Sequence, residues 1–226
     1  MSLFDNDITT KIDLQPKYYI KAEYLPGVES IIDICKTSKD GDHPAIFDYD
    51  YGNMFINGVN YREYNFPKDT KLIVYIILND DYYEKTAQFG QKMYTWLDDA
   101  FMNKKQLKII ELHNIYSKYY PSMFEGCSNL ESVKFINNIP ESFTIKNTNF
   151  MFKYCEKIKY IDLSGLKLYK YNNDMRRLFG LSYNKFNDLQ TVIMSKPKEG
   201  EGMDILYDSS IKEVMNKLPN VKFEFV

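Results

Sequence analysis

Apolar positions recur along the second half of the chain at fixed offsets, with polar positions between them. Counting from Phe124, Cys127 stands at +3, Leu130 at +6, Val133 at +9 and Phe135 at +11. Counting from Phe152, the residues Cys155, Ile158, Ile161 and Leu163 occupy the same offsets. Phe101 leads to Leu107, Ile110 and Leu112 with Lys104 in place of the Cys, and Phe179 leads to Leu189, Val192 and Met194 after a four-residue insertion. Leu218, Val221 and Phe223 repeat the end of the pattern. The anchors at 101, 124, 152 and 179 are spaced within the roughly 20–29 residues of one stacked supersecondary unit.

Each unit reads as two elements. The +9 and +11 residues alternate with polar ones, which predicts a short strand with one buried face. The Met-Phe-x-x-Cys-x-x-Leu half spaces its apolar groups at three and four residues, which predicts a short helix. One helix and one strand cannot bury their apolar sides alone, so neighbours stack and the strands form a parallel sheet. Cys127 and Cys155 then lie one above the other as small buried apolar residues.

Upstream the period is that of strands. Residues 18–24 and 31–35 alternate, separated by the turn Leu25-Pro26-Gly27. Residues 45–49, 53–56 and 72–78 read as further strands. Asn57-Gly58 between apolar runs predicts a type I′ hairpin, whose two central residues need positive φ. The expected organisation is a polar tail at 1–15, a small β-sandwich-like module at 16–85 and a repeat domain at 86–226. Tyr94 to Asn103 is expected to form a longer lead-in helix, with Trp96 and Phe101 covering the open end of the stack.

The pair Met-Phe-x-x-Cys-x-x-Leu, with Ile161-Asp162-Leu163-Ser164 closing the unit, resembles the BspA-like leucine-rich repeats of bacterial surface proteins. The resemblance covers about residues 95–226 and is closest in the units of Phe124 and Phe152. It implies a short leucine-rich-repeat solenoid of four to five irregular units, mixed α and β, behind an all-β module. It also implies adhesion or binding more than catalysis, although fold alone does not settle function.

Composition narrows the function classes. Net charge −2, with charged residues at 27%, supplies no bulk attraction for nucleic acid or anionic membrane. The longest apolar run, at 72–78, is far shorter than the ~20 residues of a membrane-spanning helix. The acidic start Met1-Ser2-Leu3-Phe4-Asp5 lacks the pattern of a signal peptide, so cytoplasmic synthesis, with carriage in a virion, is expected. The abundant Tyr and Phe, beside many Lys, Asn and Ile, follow A/T-rich codons. Three Cys do not make a disulfide framework.

Candidate chemistry is sparse. Asp40, Asp42 and His43 in a Gly-containing loop do not match an EF-hand and read as a solvated turn. Asp48 and Asp50 share one strand face, and a polar surface explains them. Cys127 and Cys155 have no Cys-x-x-Cys spacing, and residues 196–202 lack the Gly-Lys-Ser/Thr ending of a phosphate loop. No catalytic set, cofactor site or metal site is expected.

Two surfaces compete as the interface: the polar tail at 1–15, expected to order on a partner and favoured for assembly, and the outward side of the repeat sheet. At +10 the sheet carries Glu111, Lys134, Asp162, Ile193 and Lys222, with Tyr160 at +8 and His113 at +12. In register, Glu111, Lys134 and Asp162 make an acid–base–acid ladder across strands about 4.8 Å apart. Such a ladder is either a mixed binding face or a set of cross-strand pairs that satisfy one another. The expected function is a non-catalytic interaction or structural subunit of a larger assembly, a phage virion or tail component in the first instance. A BspA-like surface adhesin is the alternative, and an enzyme is a remote one.

Overall fold

The computed structural model describes residues 17–36, 52–78, 97–115, 117–138, 143, 145–170, 173–197, 201–202 and 204–226. The tail at 1–15, the loop of Asp40, Asp42 and His43, the pair Asp48 and Asp50, the junction at 79–88 and Trp96 lie outside them. The nine strands are β1 (Tyr19–Tyr24), β2 (Gly52–Ile56), β3 (Val59–Asn60), β4 (Leu72–Leu78), β5 (Leu107–His113), β6 (Ser132–Ile136), β7 (Tyr160–Leu163), β8 (Thr191–Met194) and β9 (Lys222–Phe225). Two α-helices join them among the described residues, α1 (Met175–Phe179) and α2 (Ile205–Lys217).

All nine strands belong to one sheet of order β3-β2-β4-β1-β5-β6-β7-β8-β9. The first four are antiparallel and β5 to β9 run parallel. The strand that joins the two halves is β1. It pairs antiparallel with β4 on one side and β5 on the other. Its alternation explains the fit: Tyr18, Ile20, Ala22 and Tyr24 are buried on one face, while Tyr19 and Lys21 are on the other. This overturns the expected leucine-rich-repeat solenoid behind a separate β module. The molecule is one open, mixed sheet with few helices.

The helical half of each repeat is also corrected. Residues 97–103, 121–126 and 149–154 are hydrogen-bonded turns. Asp99, Phe101 and Asn103 donate their N–H groups to the carbonyls of Pro121, Met123 and Glu125. Ser122, Phe124 and Gly126 donate in turn to Asn149, Met151 and Lys153. An amide committed sideways cannot close an i→i−4 bond, so apolar spacing alone does not make a helix here. The price is local strain: Asp99, Asn103, Ser122, Phe150 and Tyr154 all hold positive φ without being glycine. Where the sideways ladder ends, α1 forms, with Asp174 as N-cap and Gly180 in the left-handed region after it.

One core runs under the sheet from Ile20, Met54 and Val74 on β1, β2 and β4 to the space between the inward face of β5–β8 and these turns. Ile110, Leu112, Val133, Phe135, Ile161, Leu163, Val192 and Met194 face it, all at most 1% exposed. Phe101, Phe124 and Phe152 stack with ring centroids 5.9 and 5.8 Å apart, and Phe179 follows at 6.2 Å. Leu130 and Ile158 are fully buried beside them.

Three local readings change. Residues 31–35 do not form a strand; Ile31–Asp33 is a 3-10 turn, because the Asp33 carboxylate accepts from the Ser30 backbone and hydroxyl and closes the chain on itself. Ile205–Lys217 is a 13-residue helix that the repeat pattern does not announce. The last strand is shifted by two residues: Phe223, not Val221, pairs with Val192, and Glu224, not Lys222, pairs with Ile193. The helix sets this shift. Its last turn runs to Leu218, and Val221 bonds back to the Leu218 carbonyl before β9 starts. The hairpin is as the sequence expects, with Asn57 at φ 48 and Gly58 at φ 85.

Candidate binding surface

The outward face of the sheet is built from strand residues that alternate with the buried ones. The register places Tyr75, Lys21, Glu111, Lys134, Asp162 and Ile193 side by side across β4, β1, β5, β6, β7 and β8. Glu111, Lys134 and Asp162 are thus adjacent, and β1 adds Lys21 on the far side of Glu111. Four charges of alternating sign run across four strands. Lys21 has no repeat-like spacing to the others, so the sequence pattern could not include it. Its alternation with Ile20 and Ala22 was the only signal.

The four charges differ in how they are satisfied. His113 Nε2 lies 3.2 Å from Glu111 Oε2, and its ring stacks on Tyr19 with centroids 4.1 Å apart. With Nε2–H as donor, that bond holds the Glu111 carboxyl below its usual range against the opposing effect of burial; Lys21 and Lys134 add to the lowering. Asp162 is 6% exposed and accepts from the Ser164 N–H at 3.0 Å and the Ser164 hydroxyl at 2.6 Å. Tyr160, on the same strand, has its hydroxyl 3.5 Å from Asp162, and its pKa is raised by burial first and by Asp162 next. Among the described residues, no ion pair joins Lys134 to Glu111 or Asp162. Lys134 is therefore a central cation between carboxylates that bond elsewhere.

Its surroundings are mixed. Ile109 on the neighbouring strand β5, Ile136 two residues on along β6, Ile193 further across and Tyr160 on β7 are all at least partly accessible. Glu23, like Asp162, is a buried acid on this face: it is 7% exposed and held by Lys71 at 2.8 Å.

The repeat thiols are elsewhere, in the core. Cys127 donates to the Phe101 carbonyl at 2.9 Å and Cys155 to the Phe124 carbonyl at 3.1 Å. Cys35, Cys127 and Cys155 are free and buried, and burial pushes the Cys35 and Cys127 thiols up to about 12.

A second polar feature was not legible in the sequence. Residues Lys146, Asn147 and Asn149 face Asp174, Arg176 and Arg177 across a cleft of about 320 Å³. Asp174 grips the Arg176 guanidinium through two bonds of 2.9 Å, and Glu213 takes its third at 3.1 Å. Arg176 is thus a structural clamp between α1 and α2. Among the described residues, no helix is long and apolar enough to cross a membrane.

No protein-family model, curated protein or solved structure matches the chain.

Proposed function

We propose that this chain is a non-catalytic interaction protein, a structural or docking subunit of a larger assembly, and that it meets a protein partner through the outward face of its sheet. Lys134 carries this reading. It stands within a mixed face with no ion-pair partner among the described residues, while Glu111 bonds to His113 on its own strand and Asp162 to Ser164 just past the end of β7. A partner carboxylate set over Lys134, with apolar groups over Ile109, Ile136 and Ile193, complements that surface. A phage virion or tail component is the narrower proposal, and its support is the polar composition of residues 1–15, which suits a segment that orders on a partner.

The test is competitive capture from the source cell. Immobilised wild-type chain is expected to retain a protein that free wild type displaces and that free K134E, equally folded, does not. Identical displacement by K134E overturns the assignment of this face. Detection of the chain by mass spectrometry in purified particles supports the narrower proposal, and its confinement to the particle-free fraction overturns it.

A further inference from the structure

The two ends of the sheet differ. At one end β3 is only Val59–Asn60, and the chain leaves it at once in a 3-10 turn at Tyr61–Glu63, so that edge is short and blunted. At the other end β9 has one neighbour, β8, and its second edge has no strand beside it among the described residues. Lys222 and Val226 donate to the Gln190 and Met194 carbonyls at 2.8 and 3.0 Å. The alternation of a parallel ladder then points the N–H and C=O groups of Phe223 and Phe225 out of the free edge. Apolar surface gathers at the same end: Met215 is 37%, Phe225 39% and Val226 59% exposed.

The strand is also complementary to itself. Lys222 and Glu224 lie on the outward face, joined by an exposed ion pair of 2.6 Å, while Val221, Phe223 and Phe225 alternate with them. Residues directly opposite each other in an antiparallel pair share a face. Setting Phe223 opposite the Phe223 of another copy therefore brings each Lys222 against the other copy's Glu224, twice. It also brings each Phe225 against the other copy's Val221 on the inner face. The same register makes Phe223 opposite Phe223 a hydrogen-bonded pair, which is the one its outward N–H and C=O can form. Edge lysines normally deter such pairing. Here Glu224, two residues on, turns the lysine into half of a matched pair.

We propose that a second copy of this chain pairs with the free edge of β9 in this antiparallel register, giving a two-fold dimer with one sheet running through both copies. The outward face around Lys134 is left uncovered, so the proposal stands apart from the function proposed above.

Sedimentation of the full chain over a concentration series tests it. Wild type is expected to dimerise below about 100 µM. K222E and E224K each replace two attractive cross-strand pairs by two repulsive ones and weaken association by about tenfold or more. The double variant K222E/E224K restores the pairs and the dimer, and K134E dimerises like wild type. Thermal melting of each variant as a monomer shows that the fold is kept. In hydrogen exchange, the amides of Phe223 and Phe225 gain protection as concentration rises. A wild type that stays monomeric, single variants that dimerise as tightly as wild type, or a double variant that stays as weak as the singles each overturns the proposal.

Discussion

The thiol of Cys155 donates to the backbone carbonyl of Phe124 at 3.1 Å, across the gap between one repeat turn and the one before it. Cys127 makes the equivalent bond to Phe101. A cysteine at this offset is thus more than a small filler: it gives the carbonyl of the preceding unit a second donor, beside the backbone N–H of Lys104 at Phe101 and of Cys127 at Phe124.

Both thiols are fully buried and Cys35 is 3% exposed. Burial raises the pKa of all three, with Lys104 opposing it weakly at Cys35 and Cys127. The thiolate is the reactive form. A thiol reagent at neutral pH is expected to label none of the three on the timescale of a free cysteine, and all three in denaturant. Fast labelling of Cys127 or Cys155 in the native protein contradicts their placement.

Phe152 is fully buried between Phe124, at 5.8 Å, and Phe179, at 6.2 Å. Its truncation opens a cavity against two neighbouring turns at once. Phe152→Ala is expected to cost about 3–5 kcal/mol, read from the midpoint of urea unfolding. Tyr183→Ala, at a half-exposed ring, serves as the control and should cost far less.

Gly165 needs its missing side chain for a different reason. A Cβ there meets the Phe135 carbonyl and the Asn137 nitrogen, both backbone and both inside contact distance. Backbone held in the sheet does not yield easily, so Gly165→Ala is expected to destabilise by about 1–3 kcal/mol in the same assay. Gly202→Ala, where a Cβ meets open space, should be within a few tenths of wild type.

Asp98 is a carboxyl held against its own charge. Its Oδ1 is buried without a partner. Burial, then Asp99, pushes its pKa up to about 6 from 3.8, with Lys36 opposing. Between these values the folded state binds more protons than the unfolded one, so this group's contribution to stability falls as pH rises from about 4 to about 6. Asp98→Asn is expected to flatten that segment of the melting-temperature profile and to raise the melting temperature at pH 7. An unchanged profile rules out this role for Asp98.

Glu111 has the opposite sign. Its lowered pKa means stability that is present above the ordinary carboxylate range and is lost as pH falls through the folded value. His113→Phe keeps a ring over Tyr19 but removes the donor. The Glu111 carboxyl, followed by NMR, should then titrate closer to its usual range, with Lys21 and Lys134 holding it short of the full return.

The repeat offsets were legible because period-2 alternation depends only on neighbours along the chain. That is why Ile110, Val133, Ile161 and Val192 could be placed in one row, and Glu111, Lys134 and Asp162 in the next, from spacing alone. The Asn57-Gly58 turn and the β-branched run of β4 were legible for the same local reason.

Tertiary structure decided what local pattern leaves open. Spacings of three and four fit a helix as well as a turn, and the choice went to turns because the amides of Asp99, Phe101, Ser122 and Phe124 bond to the next unit. The place of β1 was decided by two antiparallel partners distant in sequence, which made one sheet of what read as two parts. The register of β9 was decided by how far α2 runs before the chain turns back. Alternation states which residues of a strand share a face; only its neighbours state where the strand lies and which charges meet across it.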